Sequence, residues 1–141
     1  MFTTPGTHLT TLADKYGERL VDLYYVEADA LLFLRWHGHV TADEIVRAIT
    51  EGGQWRTRYT YQRILNDKRA ASGEWSEALP WIQYEWTPRA VARGIRAMAD
   101  IVSLQIGDRP VTEAFAQAVR DQLPVAVFTN EAEALRWIRS Q

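Results

Sequence analysis

Hydrophobic and polar positions fall into short blocks whose period switches between two and about 3.6 residues. Leu20 to Val26 (LVDLYYV) and Ala30 to His37 (ALLFLRWH) are rich in β-branched, leucyl and aromatic side chains that suit a pleated, half-buried surface. The four residues EADA between them read as a hairpin connection. In the second run Leu32, Leu34 and Trp36 share one face, as every second residue of a strand must. A weaker strand is expected near His8 to Leu12, so residues 1–18 read as a loose N-terminal strand or tail.

At Thr41 the period lengthens. Thr41-Ala42-Asp43-Glu44 has the capping-box pattern, in which the Thr41 hydroxyl accepts from the Glu44 amide and the Glu44 side chain reaches back. Ile45, Ala48 and Ile49 then mark a helical face, and its end is open: Gly52-Gly53 stops the helix, or packing carries it on towards Tyr59. Tyr61 to Asp67 is the next strand. A helix beginning near Trp75 or Ser76 follows, with Leu79, Ile82 and Trp86 at core spacing, restarted or kinked at Thr87-Pro88 and closed by Gly94. Ile95 to Val102 is a strand, Val111 to Gln122 a helix with Phe115 and Val119 inward, and Pro124 to Thr129 a strand. Asn130 with Glu133 caps a last helix facing inward through Leu135 and Ile138.

A hairpin followed by α, β, α, β, α, β, α implies an α/β fold: a mixed, mostly parallel sheet covered by about four helices. Ligand sites in such sheets lie outside the strand carboxyl ends. Those ends carry Asn66, Asp67, Lys68 and Arg69, then the stretch from Ser103 to Asp108, then Thr129 and Asn130.

Composition narrows the function classes. At 141 residues the chain is expected to be a single domain, residues 1–141, able to bury about two thirds of its unfolded surface without a staple. A net charge of -2 gives no general attraction to nucleic acid or to an anionic membrane. The absence of cysteine removes thiol catalysis, cysteine-based zinc sites and disulfides together. The N-terminus has neither the charged region nor the long apolar core of a signal peptide, and the longest apolar run, Ala30 to Leu34, is too short to span a bilayer. A cytoplasmic location is therefore expected.

The residues DKR at 67–69, PWIQYEWTPRAVARGIR at 80–96 and VFTNEAEALRWI at 127–138, set in that element order, resemble small bacterial SpoIIAA-like proteins of the STAS superfamily of anti-sigma-factor antagonists. The most specific pieces are Asp67-x-Arg69 and the run Glu85 to Ala90. The resemblance implies a SpoIIAA-like (STAS-like) domain and a regulatory, non-enzymatic role exercised on a protein partner. True antagonists carry Asp-Ser-Ser/Thr-Gly at the start of the second helix, with the hydroxyl residue before glycine phosphorylated. Here Ser72 and Gly73 remain, but Ala70 and Ala71 stand where Asp and Ser would be.

Ser72 is thus the candidate phosphoacceptor: a phosphate beside a helix N-terminus, near Lys68 and Arg69, would be electrostatically favoured, and the alternative is a plain Ser-Gly turn. Asp67, Arg69 and Arg89 form a candidate binding cluster with Trp81 and Trp86 as an aromatic wall; the alternative is an Asp-Arg pair fixing a loop over two core tryptophans. His37 and His39, two apart, could ligate zinc on a continuing strand, but Gly38 suggests a turn and no metal site is expected. QWRTRYTYQR at 54–63 interleaves arginine with aromatics as single-strand binders do, but the balanced charge argues against nucleic acid. No phosphate-cradling glycine motif or nucleophile elbow occurs, so no catalytic residue and no cofactor are assigned. The leading expectation is a cytoplasmic protein-interaction module, with a homodimer as one form of partner. The second is a protein that binds a small, lipid-like molecule in a Trp-lined pocket. A closed tryptophan core would favour the first, and a large apolar cavity near Trp81 and Trp86 the second.

Overall fold

The computed structural model describes residues 4–103 and 107–141. Six strands form one sheet whose spatial order is the order of the chain. They are β1 (Thr7–Ala13), β2 (Arg19–Val26), β3 (Leu31–His39), β4 (Arg63–Ser72), β5 (Ala97–Ile101) and β6 (Val125–Phe128). β1, β2 and β3 pair antiparallel, and β3 to β6 are parallel neighbours. The fold is therefore α/β with a mixed sheet. β1 is a full edge strand with two register shifts against β2, so the stretch expected as a loose tail is part of the sheet.

Four helical segments connect and follow the parallel strands: α1 (Ala42–Gly52), a composite of α2 (Leu79–Trp81), a π turn (Ile82–Trp86) and α3 (Thr87–Ala92), then α4 (Asp108–Val119) and α5 (Glu131–Arg139). When parallel strands march in one direction with right-handed crossovers, the crossover helices all fall on one face of the sheet. α1, α2–α3 and α4 do so, over Leu32, Leu34, Trp36, Ile64 and Met98. α5 has no strand after it and folds onto the other face, where Ala134 and Ile138 meet Phe33, Leu65, Ala99 and Ile101.

Several boundaries differ from the sequence expectation, each for a local reason. Thr41 caps Glu44 as expected, but the Glu44 carboxylate accepts from the Lys15 amide and Arg47 instead of reaching back to Thr41. Gly52 and Gly53 both take right-handed helical angles, so the chain continues as a 3-10 turn to Thr57. Gly38 does not end β3. Its φ of +68°, which glycine adopts freely, lets the strand continue past a register slip after Arg35, and β4 follows it through His37↔Ala70, Gly38↔Ala71 and His39↔Ser72. α4 starts at Asp108 and not near Val111.

Candidate functional site

Between the sheet and the helices α1 and α2–α3 lies a cavity of about 330 Å³. That falls within the range of small-molecule sites and exceeds the water-sized voids of a close-packed interior. Its floor follows from strand periodicity: Leu32, Leu34 and Trp36 of β3, Ile64 and Asn66 of β4, and Met98 and Asp100 of β5 all project to this side. Ala48 and Ile49 of α1 form one wall. Trp81, Ile82, Trp86 and Ala90 form the other.

The tryptophan wall depends on the π turn. Both the backbone amide and the hydroxyl of Thr87 donate to the Ile82 carbonyl, the latter at 2.8 Å, fixing an i to i+5 step just before Pro88. Proline cannot supply the next amide donor, which favours a wide turn here over a regular one. Trp81 and Trp86 at its two ends both reach the cavity. The lining residues that remain open to solvent, Thr50, Arg89 and Arg93, lie at the carboxyl ends of α1 and α3, so the cavity opens there. The Arg56 guanidinium donates to the Arg93 carbonyl and stacks over the Tyr61 ring, tying the two sides of the rim together. Burial raises the Tyr61 hydroxyl above its ordinary pKa, with Arg56 and Arg93 pulling partly the other way.

The far end, at the carboxyl ends of β4 and β5, is polar. The Trp36 indole donates to Asn66 Oδ1 at 3.0 Å, which turns the Asn66 amide nitrogen towards Asp100, its register partner on β5. Lys68 Nζ donates to Asp108 Oδ1 (3.0 Å) and Thr112 Oγ1 (2.7 Å) and sits over the Trp75 ring. Asp108 also accepts from the Trp75 indole at 2.8 Å and from the Ser103 amide at 2.8 Å. Asp100 is 4% exposed, and its Oδ1 has no hydrogen-bond partner among the described residues. Burial drives its pKa upward; the Lys68 charge and the Asn66 hydrogen bond act against this, and Asp108 reinforces it.

The five residues proposed from sequence as one binding cluster divide between the two faces of the sheet. Trp81, Trp86 and Arg89 line the cavity, Arg89 also pairing with Glu85 on the surface. Asp67 and Arg69 project to the opposite side, under the start of α5. There Asp67 Oδ2 accepts from Arg35 (3.1 Å) and Arg69 (2.8 Å), and Glu131 Oε1 accepts from the same two guanidiniums at 3.2 and 2.9 Å. Burial opposes ionisation of Asp67, but its bonds from the Arg69 side chain and amide and from Arg35 outweigh this and hold its carboxyl below the ordinary range.

Ser72 is not at a helix start. It is the last residue of β4, its carbonyl accepts from the Val40 amide at 2.8 Å, and the crevice beside it is about 20 Å³, room for one water. The dipole argument for a phosphate there loses its helix. His37 bonds Asp22 at 2.9 Å, His39 is exposed, and no group of three potential metal ligands occurs among the described residues. Within the arginine-rich stretch, Trp55, Tyr59 and Tyr25 pack on one another. The strand-end stretch from Ser103 to Asp108 includes residues 104–106, which lie outside the described residues.

Sequence reading did not single out Asp100, Trp36 or Trp75. The available signal for Asp100 was a lone carboxylate in the apolar strand IRAMADIV, at the same parity as Met98. No protein-family model matches the chain, and no curated protein matches it significantly. No helix among the described residues is long and apolar enough to cross a membrane.

Proposed function

We propose that this protein binds a small, largely apolar molecule in the cavity between its sheet and the helices α1 and α2–α3. The carrying observation is the cavity itself: about 330 Å³, walled by aliphatic and indole side chains, open at one end and polar at the other. A site of that size with a few convergent polar groups is what an organic ligand needs. The protein-docking role implied by the STAS-like resemblance rests on loops at the strand carboxyl ends, and Ser72 contributes less to it than the sequence suggested because it lies in a strand. A regulatory module whose docking answers to a bound molecule would accommodate both readings.

Anilinonaphthalene sulfonate is a suitable probe, being aromatic, fluorescent on transfer from water, and anionic enough to sit by the Arg89 and Arg93 rim. The parent should bind one equivalent with saturable enhancement. Ala90→Trp and, from the facing wall, Ala48→Phe fill the cavity and should each weaken binding by at least about tenfold, or about 1.4 kcal/mol, while cooperative unfolding is retained. Equal binding by the parent and by both folded variants would sink the proposal.

A further inference from the structure

The deep end of the cavity holds a feature that an apolar pocket alone does not require. Asp100 lies on central strand β5, 4% exposed, in a lining otherwise made of Met98, Ile64, Leu34 and indole rings. Its neighbours are already committed. The Asn66 carbonyl oxygen takes the Trp36 indole proton, so the Asn66 amide is oriented and can serve only one side of the carboxyl. Lys68 is held by Asp108, Thr112 and the Trp75 ring. Oδ1 is left over, lining the cavity without a hydrogen-bond partner among the described residues. A buried polar oxygen without a partner costs stability, and nearly all such atoms in folded proteins are paired.

We propose that Asp100 Oδ1 is the recognition point for a neutral hydroxyl group on the ligand, an alcohol or phenol carried at the deep end of an apolar body. The inference rests on the binding reading above and specifies its ligand class. Charge decides between donor types. An ammonium entering here would pass Arg56, Arg89 and Arg93 at the rim and come to rest near Lys68; a carboxylate would meet Asp108 behind Asp100. A hydroxyl meets neither penalty. It also suits Oδ1 in either protonation state, since it accepts from a carboxylic acid and donates to a carboxylate.

The test compares naphthol with methylnaphthalene, in which a methyl group replaces the hydroxyl at nearly equal size, by titration calorimetry on the full chain. The parent should bind naphthol about tenfold or more tighter, the usual penalty for leaving a polar site unpaired. In Asp100→Leu the order should reverse, and Asp100→Asn, which can still hydrogen-bond, should keep most of the preference. Aminomethylnaphthalene, the charged counterpart, should bind more weakly than naphthol. Binding of both neutral probes with no preference for naphthol in the parent overturns the hydroxyl assignment and leaves the cavity reading standing, as does a preference unchanged in Asp100→Leu. Failure of every probe to bind overturns both.

Discussion

Asp100 and Asp67 occupy neighbouring central strands and have opposite fates. Asp67 faces two guanidiniums and is held ionised, whereas Asp100 faces the cavity and is driven towards its neutral form by burial, with Lys68, Asn66 and Asp108 around it. The folded pKa of Asp100 is the raised one, so its contribution to stability is fully present below about pH 4, where the unfolded carboxyl is also protonated, and is lost as pH rises towards the folded value. Asp100→Asn cannot ionise and escapes that loss. Its unfolding midpoint relative to the parent should therefore climb between about pH 4 and pH 7, by about 1.4 kcal/mol for each unit of elevation. A parent–variant difference that stays flat across that range would mean that Asp100 is ionised in the fold. In the sequence LNDKRA both strand-end carboxyl environments were masked by adjacency. Asn66, Asp67, Lys68 and Arg69 read as one cluster because they are consecutive, yet the two-residue period of a strand sends Asn66 and Lys68 to the cavity side and Asp67 and Arg69 to the other.

At the scale of elements, the existence and kind of each strand and helix were legible from periodicity and caps, whereas lengths depended on partners. β4 outruns its apolar core, Ile64 and Leu65, because β3 supplies a ladder as far as His39; nothing within RILNDKRAAS announces that. The composite α2–α3 was signalled by Thr87-Pro88, but a π turn has no composition of its own and emerges only from how Ile82, Thr87 and Pro88 share donors. The end of β4 is closed by Gly73, whose φ of +114° is disfavoured for any side chain and whose missing Cβ leaves space for the Val40 backbone, with the Val40 nitrogen only 2.7 Å from where that atom would be. Gly73→Ala should consequently cost about 2 kcal/mol or more, since neither the angle nor a main-chain neighbour can yield cheaply. Urea unfolding measures it. A loss below about 0.5 kcal/mol, the scale of ordinary surface substitutions, would show that this strand end relaxes freely.

For the whole molecule, the sequential strand order divides labour between the two sheet faces. Three crossover segments share one face and leave the cavity between them, while α5 alone covers the other. The Arg35–Asp67–Arg69–Glu131 network joins that lone helix to β3 and β4, with Asp67 fully buried and Arg35 4% exposed. Asp67→Asn removes the charge on which both guanidiniums converge, and breaking a buried ion pair from one side costs about 3 kcal/mol. Unfolding midpoints should fall accordingly, hydrogen exchange in α5 should accelerate ahead of exchange in β2, and probe binding in the cavity should persist in the folded fraction. Loss of binding with unchanged α5 protection would contradict the separation of the two faces. This division was only partly readable beforehand: strand and helix alternation implied the mixed sheet, but a cavity is a property of how three helices fail to meet, and no single segment encodes it.

The π turn bears on how such a pocket can be lost. It holds one residue more than an α-helical path over the same rise, so it is equivalent to a one-residue insertion in the helix. Losing one codon between Ile82 and Trp86 would allow a regular helix and turn everything downstream by about 100°, carrying Arg89 and Ala90 away from their places on the cavity wall. Point substitutions can only trim the site, whereas a single deletion would remove one side of it. In any lineage that keeps the ligand, the length of this segment should be constrained more tightly than the identity of its exposed members Tyr84 and Glu85.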